Sequence, residues 1–411
     1  MNKFSSAINR IKVFFHKPFF TDFRTLFCVW MLIPIYAFYK NMKSGEPENT
    51  YHIFRYVYIH ATKGLTLFGE YPGEYVDENH YGPFFSLFIA PLAVLPVSIG
   101  YFLWLLLIVF TLYVAIRTST FSRSVQIFLL WFCANEMLTC TLVAQFNGVI
   151  AALLIFAFVA VEKERDEWAT FALLLGTFIK LCGIVALPFF FFSKHKKKFI
   201  VSFIAWSIVL FVAPMLITSP EYIIGQYESW YHALQAKNET NIADRLSANN
   251  ISLLGIVRRI TLDTSYSDLW FIVPAMIIAT IGYFRVNQWQ YLPFRKTILA
   301  NVLLITLLFS TGTENSSYMM AGIALPIWYT AAPWRRNNWD IALMIFAFLF
   351  GSLSPTDLYP KYIQNEIIRP FALRALPVAL IWFKLSYELI FKNYDTVQQT
   401  ILLRKREGIH A

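Results

Sequence analysis

The feature that most constrains this chain is a series of long apolar segments, rich in Leu, Ile, Phe and Val, that recurs from residue 23 almost to the C-terminus. Short basic clusters separate many of them, as at residues 194–198, and only residues 40–83 and 218–268 form long polar stretches. About 20 apolar residues suffice to cross a bilayer as a helix, which satisfies its own backbone hydrogen bonds in lipid. The pattern therefore predicts an all-α, polytopic membrane protein with two large loops.

Composition supports this class. Of 411 residues, 57% are hydrophobic and only 15% are charged, far less charge than a soluble surface of this size needs. A net charge of +10 would suggest a nucleic-acid partner in a soluble protein. Here the basic residues lie between apolar segments, where they orient spans, so we expect no nucleic-acid partner. The cysteines lie in or beside apolar segments without metal-ligand spacing, which predicts free buried thiols and no metal.

The apolar segments give about twelve candidate spans, near residues 24–39, 97–116, 124–140, 146–161, 168–179, 183–193, 199–217, 269–285, 297–311, 317–332, 339–353 and 371–390. Residues 168–179 and 183–193 are either two half-length helices that meet at Lys180 or one long helix. The short run 84–95 lies between Pro83 and Pro96. We interpret it as a re-entrant helix, with a true span as the alternative.

The positive-inside rule sets the orientation. Twelve spans with a re-entrant 84–95 place both termini and most of the 35 Lys and Arg residues on the inner side. The polar stretches 40–83 and 218–268 then lie outside. We expect one integral domain, residues 1–393, with a cytoplasmic tail at 394–411, in a bacterial inner (cell) membrane.

The first outer stretch carries two kinds of signal. Ile53, Phe54, Val57 and Ala61 recur at helical spacing, which predicts an amphipathic helix along the membrane interface. Residues 69–83 then combine carboxylates, a histidine, tyrosines and turn formers. Tyrosine rings can stack on a pyranose and acids can hold its hydroxyls, so this run is typical of a sugar-binding surface. A solvated interfacial loop is the alternative.

Four motifs follow one another along the chain. They are Tyr81-Gly82-Pro83 with the Leu- and Pro-rich run up to Pro96, Gln145-Phe146-Asn147-Gly148, Leu173-Leu174-Leu175-Gly176 through Lys180 to Pro188, and Asn249-Asn250-Ile251-Ser252-Leu253-Leu254-Gly255 ending in Arg258-Arg259. In this order they resemble the Y-x-P…LP, G-Q-x-N, LLLG…LK…P and N-x-S-L-x-G…RR segments of glycosyltransferase family 87.

The resemblance implies a GT-C-like architecture and an inverting hexosyltransferase. Such an enzyme would move a hexose, such as mannose, from a polyprenyl-phosphate sugar to a glycolipid or glycan acceptor on the extracytoplasmic face, among membrane lipids and without a cofactor. The family usually carries an acidic residue, often Asp-Phe, at the start of the first outer loop, and this acid is thought to be the catalytic base. That place reads Asn49-Thr50-Tyr51 here, so the candidates are the adjacent Glu48 and Asp77.

Cations are needed to stabilise the departing phosphate. Lys180 interrupts an apolar run, where a charge is costly unless it faces a polar partner or cavity. Arg258 and Arg259 end the second outer stretch and would suit a phosphate at the membrane surface. The alternatives are a lysine that reaches the interface and an ordinary interfacial arginine pair.

Polar residues near the outer ends of spans are the candidate sugar contacts: His80, Tyr81, Gln145, Asn147, Asn249 and Glu314. Helix capping is the alternative for Gln145 and Asn147, and an N-cap by Asn315 or Ser316 is the alternative for the turn around Glu314. Glu136, inside an apolar run, either pairs with a cation or lines a cavity.

A transporter or flippase for lipid-linked or small solutes is the alternative function. Transporters often carry paired broken helices, and this chain offers one candidate break, at Lys180. An outer cavity that holds a carboxylate together with Lys180 would favour transfer, whereas a central two-sided cavity would favour transport.

Overall fold

Helices make up the regular structure of the computed structural model, which describes residues 17–243, 249–356 and 358–395. The α-helices, in chain order, are α1 Pro18–Thr21, α2 Phe23–Asn41, α3 Asn49–Lys63, α4 Phe84–Ala93, α5 Val97–Thr118, α6 Arg123–Phe132, α7 Ala134–Leu142, α8 Asn147–Glu162, α9 Asp166–Lys180, α10 Lys196–Val212, α11 Pro220–Ala243, α12 Leu253–Thr261, α13 Leu269–Tyr283, α14 Leu292–Leu308, α15 Met319–Ala331, α16 Asn338–Phe346, α17 Lys361–Ile363 and α18 Ala375–Phe391. The 3₁₀ segments are Met42–Ser44, Cys182–Phe192, Ala213–Leu216, Val286–Gln288 and Asn315–Tyr318, and the π-helical segments are Ala347–Leu353 and Gln364–Ile368.

Every predicted apolar segment coincides with a helix or a pair of helices. Among the described residues, α5 and the continuous stretch Lys196–Leu216 are each long and apolar enough to cross a membrane. The pair α6 and α7 adds a third if its 44° bend lies within one span. Five further apolar helices among the described residues are only 10–17 residues long, so the count of twelve spans stays a prediction.

Apolar side chains cover both the inside and the outside of the bundle. Nearly every residue of α8 is buried, and α14 and α15 are also buried on most sides. The outer helices α10 and α13 instead expose large apolar residues, among them Val201, Ile208 and Trp270. A surface of this kind is stable in lipid and not in water, so the chain is a membrane protein.

Within the run 84–95 the helix α4 is only ten residues long, and Pro96 then caps the start of α5. At 1.5 Å per residue, α4 is about 15 Å long, half of a hydrocarbon core of about 30 Å. This length favours the re-entrant interpretation over a span. The sidedness of the chain stays a prediction.

The chain breaks at Lys180, as the half-length alternative predicted. Helix α9 ends there, Leu181 adopts a left-handed conformation with φ 56°, and a 3₁₀ segment follows. Gly183 lies so close to α9 that a Cβ would clash with the carbonyl oxygen of Leu173. The second half therefore turns back against α9, and the lysine is left at the turn.

The two polar stretches are largely helical and pack on each other. Helix α3 forms as predicted and buries Ile53, Phe54, Val57 and Ala61. The 24 residues of α11 lack the apolar periodicity that would have predicted a helix. This helix is held in place because Gln226 accepts a hydrogen bond from the Leu67 N–H at 2.8 Å. The predicted cytoplasmic tail lies outside the described residues from 396 onward.

Candidate active site

A cavity of about 610 Å³ lies where the first polar stretch, the end of α9, α11, α13 and the turn after α14 meet. This volume is within the range of about 300–1,000 Å³ that is usual for ligand pockets. Of the residues predicted from the sequence, those on its wall are Asp77, His80, Tyr81, Gln145, Lys180, Asn249 and Glu314.

A tight loop brings the first polar stretch to Lys180. The Asn79 side chain accepts a hydrogen bond from the Tyr81 N–H at 3.0 Å and donates one to the Tyr81 carbonyl oxygen at 3.1 Å. The Gly82 N–H donates to the Ile179 carbonyl oxygen at 2.9 Å, one residue before the lysine. A Cβ on Gly82 would clash with the backbone carbonyl oxygen of Phe178 and would lie 2.8 Å from the ring of Trp230, so only glycine fits. This close approach explains the Tyr-Gly-Pro motif.

The Lys180 ammonium faces this cavity. Its Nζ donates a hydrogen bond to Asn147 Oδ1 at 2.7 Å and lies 5.4 Å from the centre of the Tyr81 ring. The Tyr81 hydroxyl in turn donates to Gln145 Oε1 at 3.1 Å. The lysine therefore meets a neutral amide and the Tyr81 side chain, and the negative charge of Glu314 acts on it across the cavity wall.

Asn147 lies behind the wall and connects Lys180 to Glu314. Its Nδ2 donates to Ser316 Oγ at 2.7 Å, and the Ser316 hydroxyl donates to Glu314 Oε1 at 2.7 Å. Glu314 also forms a capping box with Ser317 at the start of a 3₁₀ turn. Glu314 is thus both a capping residue and part of the cavity wall, and the chain of hydrogen bonds fixes the position of the ammonium.

Asp77 is held at the cavity by Asn49, which also lines the cavity. Asn49 Nδ2 donates to the Val76 carbonyl oxygen at 2.7 Å, and the Val76 N–H donates to Asn49 Oδ1 at 2.9 Å. Asp77 then adopts a left-handed conformation with φ 73°, which costs about 1 kcal/mol or more for a non-glycine residue. Its carboxylate lies 3.2 Å from the Lys237 ammonium of α11.

Two titratable groups beside Asp77 have shifted pKa values. Burial, together with the nearby Lys237 ammonium, lowers the pKa of His80 to about 4, so its imidazole is neutral at pH 7. Burial, followed by the negative charges of Glu70 and Asp77, raises the pKa of Glu78. His80 therefore offers hydrogen bonds to a ligand, and not a positive charge.

The other predicted residues lie off the wall. Glu48 precedes α3 outside the cavity lining, and burial raises its pKa. Arg258 is buried, with Nη2 2.6 Å from Asp268 Oδ1, and Arg259 Nη2 donates to the Asn249 carbonyl oxygen at 3.1 Å. Both arginines hold the second polar stretch together. Glu136 is paired with Arg374 at 2.7 Å, as one of its two alternatives predicted.

The sequence missed several residues of the wall: Glu78, Lys237, Asn238, Asn241 and Thr311. Lys237, Asn238 and Asn241 lie on α11, which carries no motif and no apolar period. No signal in the sequence pairs Lys237 with a carboxylate 160 residues away. Glu78, in contrast, could have been found, because it adjoins Asp77 in the acidic run.

Comparison with known proteins agrees with the four motifs. A model of glycosyltransferase family 87 matches residues 79–311, more than half of the chain, and the match covers Tyr81, Gln145, Lys180 and the arginine pair. No curated protein matches. The family match confirms the resemblance inferred from the motifs and does not favour the transporter alternative. The chain therefore belongs to glycosyltransferase family 87 and is a glycosyltransferase.

Proposed function

We propose that this glycosyltransferase moves a hexose, such as mannose, from a polyprenyl-phosphate sugar to a hydroxyl group of a glycolipid or glycan acceptor on the extracytoplasmic face. The observation that carries the proposal is one cavity whose wall holds the Lys180 ammonium together with the acids Asp77, Glu78 and Glu314. Sugar transfer from a phosphate needs both a cation for the leaving group and a carboxylate for the proton.

Lys180 takes the role of the phosphate-binding cation. The leaving group of the donor is a phosphate whose negative charge grows as the bond to the sugar breaks. An ammonium already oriented by Asn147 at 2.7 Å needs little reorganisation to stabilise that charge. Tyr81 and Gln145, next to it on the wall, suit the sugar hydroxyls.

The polyprenyl chain would enter beside α13. Ile272 and Met276 of this helix line the cavity together with Phe309. Met276 is also 47% exposed, and α13 exposes further apolar residues such as Trp270 and Ile277. We infer that the isoprenoid tail lies along these apolar side chains in the membrane while its phosphate lies at Lys180.

Asp77 takes the role of the base. The acceptor oxygen attacks the anomeric carbon, the bond from that carbon to the phosphate oxygen breaks, and the hydroxyl proton passes to the Asp77 carboxylate. Polyprenyl phosphate leaves, and attack opposite the phosphate inverts the anomeric configuration. Of the two acids proposed from the sequence, Asp77 lines the cavity and Glu48 does not, which supports this choice.

Transfer assays with the full chain in lipid nanodiscs test the proposal. The donors are polyprenyl-phosphate mannose, glucose and galactose, offered with a panel of neutral glycolipids. We expect one donor to be used, and Asp77→Asn to lower kcat by about 10²–10⁴-fold, as for loss of a general base.

Glu48→Gln is the matched control and should leave kcat within about threefold, the effect of a group that takes no part in the chemistry. If the unmodified chain used none of the polyprenyl-phosphate donors, the proposed class of donor would be wrong. Equal rates for Asp77→Asn and the unmodified chain would contradict the assignment of the base.

A further inference from the structure

A second groove, of about 370 Å³, adjoins the cavity on the other side of Asp77. The two spaces share Asp77, Glu78, His80 and Lys237 as a common wall. Glu70, Tyr71, Tyr75, Ala236 and Thr240 line the groove and not the cavity. Asp77 is therefore placed between the space that contains Lys180 and a separate space formed by the acidic loop and α11.

The groove has a rigid aromatic side. The Tyr71 ring lies 3.9 Å from the His60 ring, centre to centre, and the Tyr71 hydroxyl donates to the Thr66 carbonyl oxygen at 2.9 Å. His60 Nε2 is in turn 2.6 Å from Glu74 Oε2. The Tyr75 ring follows at 5.8 Å from Tyr71. Because these contacts fix the rings before a ligand arrives, little ordering is needed on binding.

The charges of the groove discriminate between ligands. Three carboxylates, Glu70, Asp77 and Glu78, line it with one ammonium, that of Lys237, which is 3.2 Å from Asp77. A phosphate would meet a net negative wall and would be repelled. Hydroxyl groups, in contrast, can donate hydrogen bonds to carboxylates while a sugar ring packs on tyrosine.

We propose that this groove binds the neutral sugar ring of the acceptor, and that an acceptor carrying a phosphate at that ring is excluded. The assignment rests on the proposed transfer reaction and adds the place and the charge of the acceptor. The donor phosphate lies beside Lys180, the acceptor ring lies against Tyr71, and the hydroxyl that reacts points across the shared wall at Asp77.

Ala236→Trp tests the groove without altering the donor space. Ala236 is exposed on α11 and lines the groove but not the cavity. Gln235→Trp is the matched control, since the neighbouring Gln235 is exposed and lines neither space. Both variants are measured as full chains in nanodiscs.

The probes are methyl α-D-mannopyranoside, methyl β-D-glucopyranoside and mannose 6-phosphate, followed by saturation-transfer NMR. We expect at least one neutral glycoside to bind the unmodified chain and Gln235→Trp, and to bind Ala236→Trp about tenfold more weakly. Mannose 6-phosphate can also bind at Lys180 in the donor space, so the groove is tested by the part of its binding that Ala236→Trp removes, which should be none. Equal binding of the glycoside to Ala236→Trp, no binding of either glycoside, or an about tenfold loss of mannose 6-phosphate binding in Ala236→Trp would overturn the proposal.

A parallel measurement separates this proposal from the proposed function. Decaprenyl phosphate should raise the Tm of the unmodified chain and of Ala236→Trp equally, and should not raise that of Lys180→Met. If this pattern holds while the glycoside experiment fails, the groove assignment alone is wrong. If decaprenyl phosphate stabilises none of the proteins, the donor assignment is wrong whatever the glycosides do.

Discussion

Lys180 and the pair Arg258–Arg259 carry the same sign of charge but differ in their surroundings. Lys180 lies at the break after α9, lines the cavity, and donates its hydrogen bond to the neutral amide of Asn147. Arg258 is buried against the carboxylate of Asp268, and Arg259 donates to backbone carbonyl groups. A cation whose partner is neutral keeps its charge for a ligand, whereas a cation paired inside the protein stabilises the fold.

Both kinds of basic residue lie beside apolar helices, so the partner of each side chain distinguishes them better than its position does. Asp268 lies only ten residues after Arg258, at the start of α13, so the pair joins α12 to the next helix. The acid connected to Lys180 is Glu314, reached through Asn147 and Ser316. Asn147 and Ser316 thereby position the lysine, while the charge of Glu314 acts on the ammonium through space.

The largest expected effect is that of Lys180→Met. Removal of the only charge contributed by α9 to the cavity should lower kcat/KM for the donor by about 10³-fold, as for loss of a key group that stabilises developing charge. Lys180→Arg restores a cation and should recover part of the rate. If Lys180→Met transferred sugar at a rate within about threefold of the unmodified chain, Lys180 would have no role in transfer. Its proposed difference from Arg258 and Arg259 would then be wrong.

Arg258→Gln should act on stability instead. Removing one partner of a buried ion pair leaves Asp268 uncompensated and should cost about 3 kcal/mol in the free energy of unfolding. Thermal unfolding in nanodiscs should show a lower Tm, while KM for the donor stays unchanged in protein that remains folded. An unchanged Tm with a raised donor KM would instead place the arginine at the phosphate.

Asn49→Ala tests whether Asn49 positions Asp77. The two hydrogen bonds that Asn49 and the backbone of Val76 exchange orient the next residue, so their loss should lower kcat about tenfold and leave donor KM unchanged. In the Asp77→Asn background the same change should have little further effect, since the residue that it positions is already inactive. Additive losses in the double variant would show that Asn49 acts by another route.

The smallest effect concerns pH. The folded chain holds the pKa of His80 near 4, below its ordinary value of 6.5, so the unfolded state binds a proton that the folded state does not. Stability should therefore fall as the pH decreases from about 6.5 towards 4, and His80→Gln should lessen this fall by a few degrees in Tm. The raised pKa of Glu78 acts in the opposite direction but is present in both proteins. Parallel Tm curves for the two proteins would contradict the neutral imidazole.

The sequence predicted those parts of the molecule that depend on short-range pattern. The period of apolar residues predicted the buried face of α3, and a lone charge in an apolar run drew attention to Lys180, which lines the cavity. The break at Lys180 followed from the same run, although only the structure shows how Gly183 lets the chain turn back.

The remaining parts depend on contacts between distant residues. Nothing in the polar sequence of α11 indicates that Lys237 lies beside Asp77. The hydrogen bonds between Asn49 and Val76 join residues that are 27 positions apart, and no sequence pattern predicts them. The Arg258–Arg259 motif can be recognised in the sequence, but the sequence does not indicate that Asp268 lies close enough to pair with Arg258.

The most direct test is a cryo-EM structure of the full chain in a nanodisc with a non-hydrolysable polyprenyl-phosphonate sugar. Phosphonate density is expected within hydrogen-bond distance of Lys180 Nζ, with the sugar ring directed towards Asp77 and the isoprenoid along Ile272 and Met276. Density for the phosphonate at Arg258 or Arg259, with none at Lys180, would contradict the assignment of Lys180 as the phosphate-binding cation.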